Sequence, residues 1–186
     1  MRQRRHWLTC LLGCWLCICT VLAHSGPDTW LLVDADSRNL TVLQGDKVVD
    51  KFNYVALGRG GTSQLRHRGD NSTPLGEFHI AWINWDSSFD IFFGLDFPTM
   101  QTADQAYREK RINRDVYYSI LDALRDQRLP PQNTPLGGRI GIHGLGHGDL
   151  TVHRQFDWTK GCIALTNPEI ERLAHWVQVG TRVVIR

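Results

Sequence analysis

The stretch Ile142–Asn167, IHGLGHGDLTVHRQFDWTKGCIALTN, holds the residues on which the reading of the whole chain turns. Cys162 stands near its end, behind Gly161 and ahead of the apolar run Ile163–Leu165. The chain has five cysteines, and the other four (Cys10, Cys14, Cys17 and Cys19) all lie close to the N-terminus. A thiol set apart in this way has either a packing role or a chemical one. A free cysteine often behaves as a small buried hydrophobe. A nucleophilic cysteine instead needs a neighbour that favours its thiolate. His143 stands near the end of the segment RIGIHG, which reads as a strand that hands its last side chain to a cleft. The chain between the two leaves them free to converge across adjacent strands. Candidates to orient the imidazole are the carbonyl of Gly144 and the side chains of Asp149, His153 and Asp157. Gly161 permits a tight turn whose N–H groups can face a developing oxyanion.

The same segment admits a metal reading. His143, His147, His153, Asp149 and Cys162 are ligand types that suit zinc. His143 and His147 are correctly spaced for one helix face, but HGLGH contains two glycines and is a poor helix former. Neither a metal nor any other cofactor is therefore expected.

Residues 1–23, MRQRRHWLTCLLGCWLCICTVLA, have a basic start, an apolar run from Trp7 and small residues at the end. This is the layout of a secretory signal peptide, cleaved after Val21–Ala23. An uncleaved anchor is the alternative, although the apolar run is barely long enough to span a bilayer. The LLGC of Leu11–Cys14 is rejected as a lipoprotein site, because the mature chain would then begin with the apolar CWLCICTVLA. Cys14, Cys17 and Cys19 have metal-like spacing but no histidine or acid among them. Cleavage leaves Cys162 as the only thiol, so no intramolecular disulfide is expected in an oxidising compartment. It also removes three of the 21 basic residues and none of the 19 acids, turning a formal charge of +2 slightly negative. Nothing then suggests a nucleic-acid surface. Roughly 160 residues remain, enough for one domain with its own core.

The mature chain begins with short strands and turns. TWLLVDADSRNLTVLQGDKVVDKFNYVALG predicts hairpins with turns at Asp36–Asn39 and Gln44–Asp46. A polar loop follows Gly58–Gly61, and TPLGEFHIAWINW predicts a further strand. From about Thr102 to Arg128 the apolar positions Val116, Ile120, Leu121 and Leu124 fit an inserted amphipathic helix or pair of helices. LPPQNTPLGG breaks it. NPEIERLAHWVQVG predicts a C-terminal helix with Asn167 as N-cap, Pro168 at the first position and Gly180 as its stop. TRVVIR closes the chain as a strand. The segment FFGLDFP, with Phe92, Phe93 and Phe97, leads into the helical region and serves either the core or a substrate groove; the helical region itself is a candidate lid.

The stretch Ile142–Asn167 resembles the signature of the L,D-transpeptidase catalytic domain, the YkuD-like family. His143 and Gly144 match its HG pair, and Thr159, Gly161, Cys162 and Asn167 match the later motif with its cysteine and asparagine. GDNSTPLGEF, Gly69–Phe78, is similar to the family's GD-x-x-TP-x-G strand. The opening hairpin and the closing VGTRVVIR are similar too, so the likeness runs over most of the mature chain. It implies a mainly β, β-sandwich-like catalytic domain over 30–186, carrying the helical insertion at about 102–128 and the short C-terminal helix.

The resemblance also implies chemistry. Family members attack the L-centre carbonyl of meso-diaminopimelate in a peptidoglycan stem tetrapeptide, release D-alanine and form a thioester, which an amine or water resolves. Carried over, Cys162 is the nucleophile and His143 its base, later the acid for the leaving amine. Gly144 supplies the orienting carbonyl, and N–H groups around Gly161 and Cys162 the oxyanion hole. Thr159, Lys160, Asp157 and His153 are candidates to contact substrate. The implied partners are peptidoglycan stem peptides and a wall-anchored protein as acceptor or substrate, and the implied location is the periplasm. Two departures stand out. Lys160 replaces the histidine of the common SHGC motif, and Ala164 replaces the arginine that often follows the cysteine by two positions. DWTxGCIAxTN resembles the variant of a Gram-negative secreted subgroup. Ala164 removes one anchor for a substrate carboxylate, leaving acceptor and donor specificity open. The competing functions are an L,D-carboxypeptidase or amidase using water at the same site, a zinc hydrolase, and a catalytically silent wall-binding module.

Overall fold

The computed structural model describes residues 28–186; the expected signal peptide lies outside the described residues. Strands β1 (Thr29–Asp34), β2 (Asn39–Gln44) and β3 (Lys47–Phe52) form the N-terminal meander. Arg38 and Gly45 turn its corners with positive φ. Short strands β4 (Thr62–Ser63) and β5 (Thr73–Pro74) pair separately. Then follow β6 (Gly76–Ser87), β7 (Asp90–Leu95), α1 (Met100–Arg108), α2 (Arg114–Arg125), β8 (Gly141–His143), α3 (Leu150–Gln155), β9 (Ile163–Ala164), α4 (Asn167–Ala174) and β10 (Arg182–Ile185).

Eight strands join in one mixed sheet, ordered β3-β2-β1-β10-β6-β7-β8-β9. The last strand, β10, inserts between β1 and β6, parallel to the first and antiparallel to the second. It thereby knits the opening meander to the β6–β9 half of the sheet. Strand β6 serves both halves: Gly76–His79 pair with β10, and Ile80–Ser87 pair with β7. The register shifts between Ile80 and Trp82, next to the change of partner, and again between Asn84 and Ser87, near the end of the strand. One continuous core of Leu31, Phe78, Ile80, Phe93, Ile142 and Ile163, with their neighbours, fills the space under the sheet. Burying each such side chain contributes about 1.5–3 kcal/mol relative to exposure.

The helical insertion is a pair of helices. Thr99 Oγ1 accepts from Thr102 N–H to cap α1, and Asn113 Oδ1 accepts from Val116 N–H to cap α2. Ala103, Ala106 and Ile120 are buried. The second helix stops at Arg125, short of the sequence expectation.

Three local expectations need correction. The N-cap of α4 is Thr166, in a capping box with Glu169, and Asn167 is the first helical residue. Thr166 carries the hydroxyl that meets the third helical N–H, while the Asn167 amide is engaged elsewhere. The helix ends at Ala174, and Gly180, with φ of 92°, turns the chain into β10 instead. DIFFGL is strand β7, where the sequence reading had only a lead-in to helix. Of its aromatics, Phe93 is core, as is Phe97 beyond it, whereas Phe92 lines a surface cavity. Among the described residues, no helix is long and apolar enough to cross a membrane.

Candidate active site

Strand pairing brings Cys162 and His143 onto neighbouring strands. Strands β8 and β9 run parallel, with Ile142 opposite Ile163 and His143 opposite Ala164. Cys162 therefore enters β9 at the level where β8 begins. The loop before it is clamped from the other side by the segment after β3. Thr159 N–H donates to Leu57 O at 3.1 Å, Arg59 N–H donates to Thr159 O at 2.9 Å, and Ala56 and Ala164 exchange both backbone bonds. Gly58 and Gly161 cross backbone to backbone: a Cβ on Gly58 would stand 3.0 Å from Gly161 Cα. At Gly161 itself φ is 120°, and a Cβ there would meet Ser72 O at 2.6 Å. Only glycine suits that position.

His143 is 2% exposed and sits among aromatic rings. Phe92 stacks on it at 5.7 Å and Phe89 lies tilted at 4.4 Å, with Trp158 edge-on at 5.9 Å. Its Nδ1 lies 2.6 Å from the carbonyl oxygen of Gly144. A carbonyl only accepts, so Nδ1 carries the hydrogen and Nε2 keeps the lone pair. Asn167 fixes this loop, donating to Gly146 O at 3.0 Å and accepting from Gly146 N–H at 2.8 Å.

Burial controls the charge state of both groups. It pushes the His143 pKa down to about 4, against the Gly144 hydrogen bond. It pushes the half-buried Cys162 thiol up to about 11, against the Gly141 N–H bonded to it and the positive charge of Arg66. The resting pair at neutral pH is thus thiol and neutral imidazole. The thiol lies 3.5 Å from Arg139 O, to which it donates. Both side chains line one cavity of about 530 Å³, walled by Trp82, Phe92, Trp158 and Arg139. Such an arrangement can generate a thiolate by proton transfer at the moment of attack.

The remaining sequence-derived candidates divide. Lys160 is exposed and lines the cavity. Thr159 also lines it, but its hydroxyl is spent within the loop, donating to Cys162 O at 2.7 Å and accepting from Gly161 N–H at 3.1 Å. The Gly161 N–H is thereby engaged, and Gly141 N–H is the amide that points at the sulfur. Asp157 lies outside the cavity lining. It bonds Arg38 at 2.6 Å and accepts from Leu57 N–H at 2.9 Å, so it pins the clamp rather than a ligand. His153, 1% exposed, also lies outside it, where its Nδ1 accepts from Trp158 Nε1 at 3.3 Å and so orients the tryptophan in the wall. Asp149 caps α3 through Thr151 and Val152 N–H groups and does not reach the imidazole's Nδ1, which Gly144 occupies. Among the described residues no three His, Cys, Asp or Glu side chains gather as a metal cluster. None of residues 100–125 lines the cavity, so the paired helices are not its wall. That wall comes instead from the β6–β7 corner and from Trp158.

Sequence reasoning missed Gly141, Arg139, Trp82 and Trp158. The first two act through the backbone, which side-chain pattern does not report. The tryptophans were legible only as apolar positions.

Comparison with known proteins identifies the family of the chain and its fold. The profile of the L,D-transpeptidase catalytic domain matches residues 28–185. No curated protein sequence matches the chain significantly. Among solved structures, the helical cell shape determining protein Pgp2 of Campylobacter jejuni (K307A mutant) superposes with a TM-score of 0.56 at 19% identity, over 87% of this chain and 48% of that one. Bd1075 of Bdellovibrio bacteriovorus gives 0.52 at 18% identity, over 87% and 48%. The chain thus spans about half the length of these structures, and the likeness is one of fold. With the profile covering nearly all of the described residues, the chain belongs to the L,D-transpeptidase catalytic domain family.

Proposed function

We propose that the protein is a cysteine-dependent L,D-transpeptidase acting on peptidoglycan stem peptides in the periplasm, with Cys162 as nucleophile and His143 as general base. The observation that carries this reading is the pairing of a thiol with an imidazole whose Nδ1 is committed to Gly144, both lining one cavity in a chain of this family. Cys162 attacks the carbonyl at the L-centre of meso-diaminopimelate while its proton passes to His143 Nε2. The oxyanion takes hydrogen bonds from backbone N–H groups near Gly141 and Cys162; removing one such donor typically costs about 3 kcal/mol of barrier. The tetrahedral adduct collapses, His143 returns the proton to the departing amine of D-alanine, and a thioester remains. An amine from a second stem or from a wall-anchored protein then attacks the thioester, giving its proton to Nε2 and restoring the thiol. Water in place of the amine makes the same site an L,D-carboxypeptidase or an amidase.

The neutral resting pair suits this sequence of steps. A buried imidazole with a pKa of about 4 is unprotonated at neutral pH and ready to accept. The test is to incubate purified protein with muropeptides and identify the products by mass spectrometry. Crosslinked dimers with D-alanine release are expected. Tripeptides alone would replace transfer with hydrolysis, and unaltered muropeptides would overturn the reading.

A further inference from the structure

A second cavity, of about 450 Å³, meets the first at Lys160, which lines both. Its other charged lining residues are Arg59, Arg66 and Arg68, and no carboxylate is among them. Arg59, Arg68 and Lys160 are exposed. Arg66 is different: it is 4% exposed, and neither its Nε nor its Nη1 has a hydrogen-bond partner among the described residues. Asp70 is its ion-pair partner, through Nη2 alone. Asp70 reaches Arg66 Nη2 only at 3.4 Å, while its oxygens accept from His67 N–H at 2.7 Å and Ser72 N–H at 3.0 Å.

The fold makes room for this guanidinium. Gly137, with φ of 86°, also lines the cavity, and a Cβ on it would stand 2.7 Å from Arg66 Nη1. On another side the Arg66 Cζ lies 5.7 Å from the centroid of the Phe97 ring. A buried guanidinium with unpartnered donors is matched by a planar anion that accepts at two points, as a carboxylate does. Its charge is also felt at Cys162, where it favours the thiolate. Lys160, common to both linings, sets the anion next to the cavity that holds Cys162.

We propose that this basic cavity is a carboxylate subsite that takes the free α-carboxylate of the terminal D-amino acid, the group that leaves from the acyl carbon, with Arg66 as its anchor. The inference rests on acyl transfer at Cys162. The carboxylate of a terminal residue lies within one residue length, roughly 3.5 Å, of the amide nitrogen that departs, which fits a basic cavity adjoining that of the nucleophile. The larger cavity, with its tryptophans and Asp86, suits the aliphatic and amine-bearing acyl side. Arg59, Arg68 and Lys160 steer the anion inward from solvent. This set lies apart from Ala164.

The experiment is calorimetric titration of the Cys162→Ala protein with the stem tetrapeptide ending in D-alanine, and with the same peptide as its C-terminal carboxamide. The acid is expected to bind at least tenfold more tightly. Arg66→Gln in that background should abolish the preference. Arg59→Gln with Arg68→Gln, both at exposed positions, should cut it several-fold, and this pair decides the matter if Arg66→Gln fails to fold. Equal binding of acid and amide, binding of neither, or a preference untouched by these changes would overturn the subsite. Wild-type protein given the acid peptide tests the underlying reading separately. Cleavage without acid preference removes the subsite and keeps acyl transfer; acid preference without cleavage keeps the subsite and removes acyl transfer. A preference for free D-alanine over D-alaninamide as amine acceptor, with none between the two donors, would move the carboxylate to the acceptor and overturn the leaving-group assignment.

Discussion

His143 gives its Nδ1 hydrogen to the carbonyl of Gly144, the next residue in the chain, at 2.6 Å. A neutral acceptor fixes the tautomer without adding a negative charge that would raise the imidazole pKa. Burial is then free to hold that pKa near 4. The acceptor depends on a position with no side chain, since a Cβ on Gly144 would meet Phe89 O at 2.5 Å and Ile170 Cγ2 at 2.8 Å.

Gly144→Ala is expected to destabilise the protein by about 1–3 kcal/mol, and to reduce turnover more than tenfold below its melting point. Chemical denaturation measures the first effect and product formation the second. Wild-type turnover in the folded variant would show that the carbonyl does not need its present position.

The charge state of the pair predicts how Cys162 reacts with iodoacetamide. With the thiol pushed up to about 11, the alkylation rate should climb through pH 8 and 9 without levelling. A plateau reached by pH 7 would mean a preformed thiolate–imidazolium pair. The same measurement on His143→Ala should give a slower rate at neutral pH.

Stability should fall at both ends of the pH range. His143 has its folded pKa lowered from 6.5 to about 4, so the unfolded chain binds the extra proton between these values. Its contribution, about 3 kcal/mol for a shift of this size, is fully present above pH 6.5 and is lost as pH falls to 4. Cys162, raised from 9.0 to about 11, contributes below pH 9 and loses that contribution as pH rises to 11. Urea midpoints across pH should show both slopes. His143→Phe should flatten the acidic one.

Much of this was legible in the sequence. The glycines and the His143–Cys162 spacing marked the reactive segment, because turn residues and nucleophile partners are types fixed by chemistry. The meander and β10 followed from alternating apolar runs. Helix α3 escaped because its six residues, LTVHRQ, are too few to show a period. The roles of Asp157 and His153 escaped because their partners, Arg38, Leu57 and Trp158, include residues about a hundred positions away. Arg66 looked like one more loop cation in QLRHRGD, and only its burial distinguishes it.

Asp157→Ala separates a clamp from a substrate contact. Loss of the Arg38 and Leu57 bonds should cost about 1–3 kcal/mol of stability, with KM for the stem peptide unchanged well below the melting point. A large rise in KM at unchanged stability would make Asp157 a substrate ligand.

The central claim is that Cys162 carries the acyl group. Intact-protein mass spectrometry of wild-type and Cys162→Ala proteins, quenched in acid during turnover of a D-alanine-terminated stem tetrapeptide, tests it most directly. The account predicts an adduct equal to the tetrapeptide less D-alanine, located on the Cys162 peptide, and neither adduct nor D-alanine release in Cys162→Ala. D-alanine release that persists in Cys162→Ala would contradict it.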